Sequence, residues 1–168
     1  PPLCNGLHWR GDERGNHIPA GVNATPIAIP IGTQMLHAAG LAWAEKAKKT
    51  GAIAVTFFGD GATSEGDFHE AANFAASLKL PVVFCCQNNG WAISVPSSVQ
   101  SAGETFAQRG ISYGMPCVRA DGNDLFAMTK VMKDAVARAR AGEGPTFIEA
   151  VTYRCLLYTS DAADEWIG

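Results

Sequence analysis

The chain has 168 residues, 47% of them apolar, with 13 basic and 16 acidic side chains and a net charge of −3. That suits a globular domain burying roughly two-thirds of its unfolded surface, and it leaves no basic footprint for nucleic acid. No apolar run approaches the roughly 20 residues that cross a bilayer, and five cysteines without C-x-x-C spacing argue against a disulfide framework or a zinc site.

The chain begins at Pro1 without a methionine and reads as a fragment with an irregular, Gly/Pro-rich opening over residues 1–30. GTQMLHAAGLAWAEKAKKTG (32–51) predicts a helix. Lys46, Lys48 and Lys49 sit where the macrodipole is negative, and Gly51 is the expected stop. The apolar run 53–58 predicts a strand covered on both faces. Ser64 and Asp67 resemble a shortened capping box and predict a helix starting near Ser64 and running to about residue 78. LPVVFCCQ (80–87) predicts a second strand, with Cys85 and Cys86 on opposite faces as buried hydrophobes in a reducing compartment. A short helix over 104–109 and a strand over 117–121 follow. Asn123 or Asp124 is expected to cap a long helix, whose Leu125, Met128, Met132, Ala135, Val136 and Ala139 recur at helical spacing. Gly142 and Gly144 end it, and residues 145–154 predict a fourth strand. This alternation, without repeats or linkers, predicts the α/β class: an open parallel sheet with helices on both faces. Ligands bind such sheets beyond the carboxyl ends of the strands.

Two of those ends are polar: Gly59-Asp60-Gly61 and Asn88-Asn89. A dinucleotide fold would need G-x-G-x-x-G, but Ser64 stands where the third glycine belongs. Asp60 counts further against it. Two like charges about 4 Å apart repel by about 4 kcal/mol at an effective dielectric near 20, roughly a thousandfold in affinity. A divalent cation reverses that sign, because magnesium takes one or two carboxylates together with the phosphates it carries. Asp60 would be the carboxylate, an asparagine amide oxygen the neutral partner, and the glycines would let backbone approach phosphate. A tight turn with a solvated Asp60, followed by an ordinary Asn-Asn-Gly turn, stays open on these residues. The 26 residues between Gly61 and Asn88 match one helix plus one strand, so the two strand ends can be neighbours.

Gly-Asp-Gly followed at that distance by Asn-Asn resembles the thiamine-diphosphate motif. The string GDGATSEGDFHEAANFAASLKLPVVFCCQNNGWAIS resembles the α subunit of thiamine-diphosphate-dependent 2-oxo acid dehydrogenases, the decarboxylating components of the pyruvate and branched-chain complexes. The resemblance runs from about residue 32 to 154 and includes GEGPTFIEAVTYR. It implies a thiamine-diphosphate-binding fold in which Asp60 and Asn89 hold Mg2+ through side chains and Trp91 through its backbone carbonyl. Gly59, Gly61, Ala62 and Gln87 match positions lining the diphosphate. Ile31 matches the residue packed beneath the cofactor, although on spacing alone an ordinary core isoleucine reads equally well. Pro30, Thr33 and Gln34 match K+-binding positions of some branched-chain members, while Thr33 and Gln34 read equally as first-turn helix residues.

The implied activity is oxidative decarboxylation of a 2-oxo acid, with acyl transfer to a lipoyl group on an acyltransferase core. The cofactor would lie between this chain and a β subunit (α2β2), which supplies the activating glutamate, so no catalytic side chain is assigned here and the chain alone should be inactive. No nucleic acid or membrane partner is expected. A bacterial cytoplasm fits more naturally than a mitochondrial matrix. Competing readings are a transketolase- or acetolactate-type enzyme and a non-catalytic subunit or interaction fragment that keeps the fold. Glu65, Asp67, His69 and Glu70 read as cap and surface residues and His37 as a packed helix histidine, while His8 and His17 could approach an active-site mouth.

After Arg154 the resemblance breaks. The family continues into a loop with histidine and serine, whereas CLLYTSDAADEWIG has no histidine, and neither Tyr158 nor Thr159 takes over those roles. The change resembles a frameshift or a translated adapter more than divergence, which sequencing the encoding DNA across the junction would test. Residues 1–154 are therefore expected to be one thiamine-diphosphate-binding domain, incomplete at both ends, with 155–168 an atypical tail.

Overall fold

The structure, a computed structural model, describes residues 23–25 and 30–154. His8, His17, Tyr158, Thr159 and the tail lie outside the described residues. The chain divides into two units, residues 1–30 and 31–168. In the first, residues 23–25 and Pro30 contribute no helix or strand.

Among its described residues the second unit is built on four parallel strands: β1 (Ala54–Gly59), β2 (Val82–Asn88), β5 (Cys117–Asp121) and β6 (Thr146–Val151), ordered β1-β2-β6-β5. A two-stranded antiparallel ribbon, β3 (Trp91–Ala92) and β4 (Val95–Pro96), follows β2. The helices are α1 (Thr33–Lys48), α2 (Gly66–Ser77), α3 (Ser97–Gln100), α4 (Ala107–Ile111) and α5 (Leu125–Arg140).

Strand alternation sorts the core into two layers. Phe58, Val82, Phe84, Cys86 and Phe147 face α1 and α2, where Ala38, Ala39, Ala42, Ala71, Ala72 and Ala75 are buried. Alanines at these positions leave room for α1, α2 and the sheet to approach closely. Phe68 fills the remaining centre, with its ring 5.8 Å from Phe147 and 6.1 Å from Phe58. On the other face Val83, Cys85, Ile148 and Ala150 pack under Ala135 and its neighbours Met128, Val131 and Met132 on α5. Cys85 and Cys86 thus point to opposite faces, as strand geometry requires.

Several expectations need correction. Among the described residues, strand β1 is covered on one face only. It pairs with β2 alone among the described residues, and Val55 and Phe57 remain exposed, Phe57 by 55%. An apolar run shows that both faces are apolar, not that both are covered. Helix α1 ends at Lys48 with Lys49 in the left-handed region (φ 55°), ahead of Gly51. The helix expected from near Ser64 to about residue 78 is present, but Ser64 and Asp67 do not cap it. Residues Asp60–Ser64 form a 3-10 helix, α2 begins at Gly66, and no side chain caps it. The short helix lies at Ala107–Ile111 rather than 104–109, and β6 spans Thr146–Val151 rather than 145–154, with the Thr152 amide adding one last bond to the Asn88 carbonyl. Asp124, rather than Asn123, caps α5, accepting from the amides of Phe126 (2.8 Å) and Ala127 (3.2 Å). Leu125 belongs to the predicted stripe but is 74% exposed, since the buried stripe begins a turn later. His37 is exposed because Met35, Ala38, Ala39 and Ala42 occupy the buried face of α1.

Candidate functional site

Strands β1 and β2 run parallel in a register that sets Gly59 opposite Gln87, so both polar strand ends emerge side by side on one rim. From Gly59 the chain enters the 3-10 helix, whose tight winding turns Asp60 inward. Asp60 is 1% exposed, and neither carboxylate oxygen has a hydrogen-bond partner. The solvated-aspartate alternative is therefore overturned. Burial pushes the Asp60 pKa upward. The backbone amides of Asp60 and Asn89 oppose that shift without reaching hydrogen-bond geometry, and the negative charge of Glu149 adds to it.

The opposing half of the site is the turn after β2. Asn88 Oδ1 accepts from the Gly90 amide and Asn89 Oδ1 from the Trp91 amide, both at 3.0 Å. Gly90 has φ +81°, a conformation that side chains resist. The ribbon that follows packs on the Asp60 turn so closely that a Cβ at Gly61 would lie 2.9 Å from Ala92 Cβ.

The structure thus brings Gly59, Asp60, Gly61, Ala62, Gln87, Asn89 and Trp91 to one stretch of rim. Gly59 and Gln87 are exposed, Ala62 is buried and Trp91 half-buried. Ile31 is 58% exposed, which rules out the ordinary core isoleucine. Thr33 and Gln34 lie in the first turn of α1, Thr33 donating to Asp67 Oδ2 (3.5 Å) and Gln34 to the Phe57 carbonyl (3.4 Å). Gln34 Oε1 is buried without a partner. Pro30 lies in the other unit. Glu65, His69 and Glu70 are exposed, as surface residues should be, while Asp67 is half-buried.

A carboxylate buried without a donor is costly, and a cation resolves it. Asp60 and Asn89 offer hard oxygen donors, the kind Mg2+ takes. No group of three or more His, Cys, Asp or Glu forms a cluster among the described residues, so a cation here would need oxygens from elsewhere, such as phosphate. An open cavity of about 490 Å³ lies further along the rim between β5 and β6, lined by Arg119, Asp121, Asn123, Thr152 and Tyr153. It contains none of the predicted site residues.

Sequence reasoning missed the groups that brace this rim. Arg109 Nη1 donates to the carbonyl of Thr63, to Thr63 Oγ1 (2.7 Å) and to Ser64 Oγ (3.3 Å), while its guanidinium stacks on Phe106. Gln100 donates to the Asp60 carbonyl (3.3 Å) and to Ser64 Oγ (3.1 Å). Glu149 is fully buried in β6. The one available signal was a lone carboxylate inside the apolar strand TFIEAV, since unpaired acids are almost never buried.

The family model described as "Dehydrogenase E1 component" matches residues 7–164. The chain belongs to this family. It is 53% identical over 154 residues to the 3-methyl-2-oxobutanoate dehydrogenase subunit alpha of Mycobacterium tuberculosis, covering 92% of this chain and 42% of that one. It is 47% identical over 171 residues to the pyruvate dehydrogenase E1 component subunit alpha of Acholeplasma laidlawii, covering 95% and 50%. This E1-family chain therefore spans half or less of the length of these relatives. Among solved structures, a putative thiamin diphosphate-dependent enzyme from Mycobacterium smegmatis superposes with a TM-score of 0.57 at 25% identity, over 74% of this chain and 23% of that one. The E1 chain has the α/β fold of thiamin diphosphate-dependent enzymes. No helix among its described residues is long and apolar enough to cross a membrane.

Proposed function

We propose that this chain is part of the α subunit of a 2-oxo acid dehydrogenase and supplies the diphosphate-binding half of a thiamine-diphosphate site. The observation that carries this reading is the buried Asp60 carboxylate, without a hydrogen-bond partner, beside the Asn89 turn. Asp60 and Asn89 would hold Mg2+ through their side chains and Trp91 through its carbonyl. Gly59, Gly61, Ala62 and Gln87 would line the diphosphate, where backbone can approach phosphate closely. Exposed Ile31 is available to pack beneath the cofactor. A K+ role for Thr33 and Gln34 is supported by the unpartnered Gln34 Oε1.

When bound, thiamine diphosphate supplies the nucleophilic carbon and the electron sink for decarboxylating a 2-oxo acid, the protein contributing binding, orientation and electrostatics. This chain's share is to anchor the charged end, with the Asp60 carboxylate neutralised by the cation it holds. A β subunit completes the site and a lipoyl-bearing core accepts the acyl group. Relatives named for pyruvate and for 3-methyl-2-oxobutanoate are similarly distant, so both acids belong in the assay. The bacterial sources of those relatives favour a bacterial cytoplasm.

The test is release of labelled CO2 from each acid by the α chain assembled with its β chain, with acyl transfer to a lipoyl domain measured in parallel. Release and transfer dependent on both chains and on thiamine diphosphate are expected. An assembled, folded component that binds the cofactor but does neither would favour the non-catalytic reading.

A further inference from the structure

Glu149 lies in the middle of β6, 0% exposed, and the magnesium reading gives it no role. Its two oxygens face two different parts of the site. Oε1 accepts from Asn88 Nδ2 at 2.8 Å, and Oε2 accepts from the Ala107 backbone amide at 2.8 Å. Arg119 Nε approaches Oε1 at 3.5 Å from a half-exposed side chain, giving the buried charge a partial counter-ion.

Each contact continues toward the cation site. Asn88, held by Glu149 through Nδ2, uses its Oδ1 to hold the Gly90 amide, and its carbonyl accepts from the Thr152 amide at 2.7 Å. Those bonds shape the turn that carries Asn89. Ala107 opens α4, and two residues on Arg109 grips Thr63 and Ser64 at the end of the Asp60 turn. Helix α4 can lie this close to the sheet because residue 110 is glycine. A Cβ there would meet Cys117 Sγ at 2.5 Å and Phe147 Cβ at 2.9 Å.

We propose that Glu149 is a positioning residue joining the two halves of the cation cradle, one oxygen holding the Asn88–Asn89 turn and the other the start of the helix that braces the Asp60 turn. The inference rests on the magnesium–diphosphate reading above and adds a residue that touches neither cofactor nor metal. A carboxylate is required because two N–H donors, one on each oxygen, both need an acceptor. A glutamine offers one acceptor oxygen and one NH2, so one donor would lose its partner. An unpaired buried donor relaxes by moving the backbone that bears it, which here is the turn beside Asn89 or the start of α4.

The experiment is a double-mutant cycle on the assembled α/β component, with Mg2+ affinity measured calorimetrically at saturating thiamine diphosphate. Glu149→Gln and Asn88→Ala should each weaken Mg2+ binding about tenfold, and the double variant should be no more than about twofold weaker than Asn88→Ala alone. Half-saturating Mg2+ should rise by a larger factor than kcat falls, a split that general destabilisation would not produce. Losses that multiply in the double variant would overturn the proposal, as would a folded Glu149→Gln with wild-type Mg2+ affinity. If Glu149→Gln fails to assemble, Asn88→Ala decides: weakened Mg2+ binding at an unchanged melting temperature supports the proposal, and wild-type affinity overturns it. Absence of Mg2+-dependent cofactor binding in the wild-type component would be a different failure, sinking the functional reading and this inference with it.

Discussion

Asp60 carries a stability burden that a bound cation would remove. Its pKa is raised in the folded chain, chiefly by burial. A raised carboxylate favours the folded state below the ordinary value of 3.8 and loses that contribution as pH rises through the folded value. At neutral pH without metal the charged, unpartnered group therefore opposes folding. Asp60→Asn in chelator should melt a few degrees higher than wild type, while Mg2+ with thiamine diphosphate should stabilise only the wild type. Calorimetric melting at pH 7 checks both, and a lower-melting metal-free variant would contradict the account. Burial also pushes the Cys85 thiol up to about 11 and Cys86 further. Neither should react with iodoacetamide at pH 8 until denaturant is added, as peptide mass mapping would report. That Asp60 and the Asn88–Asn89 turn share one rim was legible because one helix and one strand separate them in the sequence. Glu149 and Arg109 were not. Their partners Asn88, Ala107 and Thr63 are 42 to 61 residues away in sequence, and no local pattern encodes such a pairing.

At the scale of elements, strands and long helices were legible because period and chemistry agree over many residues. The α5 cap is the clearest case. Asp124 satisfies two amides that would otherwise lack acceptors. Asp124→Ala should cost about 1 kcal/mol, lowering the melting temperature by roughly 2–4 °C, and an unchanged melting curve would show the cap to be redundant. Short elements were less legible. The 3-10 turn at Asp60–Ser64 is set by Thr63 Oγ1 donating back to the Asp60 carbonyl (2.6 Å) and by the remote Arg109 and Gln100, rather than by propensity. Ser64 had the chemistry of a cap, but its hydroxyl is engaged by Gln100 and Arg109 instead. The β3–β4 ribbon, two residues per strand, is too short for alternation to register.

For the molecule as a whole, a parallel sheet makes the functional reading possible. The crossover through α2 carries Gly-Asp-Gly and Asn-Asn from distant sequence positions to adjacent strand ends, which the spacing of 26 residues already suggested. The bare face of β1 was illegible for the opposite reason, since apolarity records what a surface can bury and not which chain covers it. The central claim is that Asp60 holds a cation bearing a diphosphate. Its most direct test is calorimetric titration of thiamine diphosphate, with Mg2+ and then with chelator, into wild type and Asp60→Ala, each assembled with a β chain. The account predicts Mg2+-dependent binding by the wild type, abolished by chelator and weakened at least a hundredfold in Asp60→Ala, roughly 2.7 kcal/mol. Equal binding by the two, or none by a wild type with its β chain demonstrably associated, would contradict it.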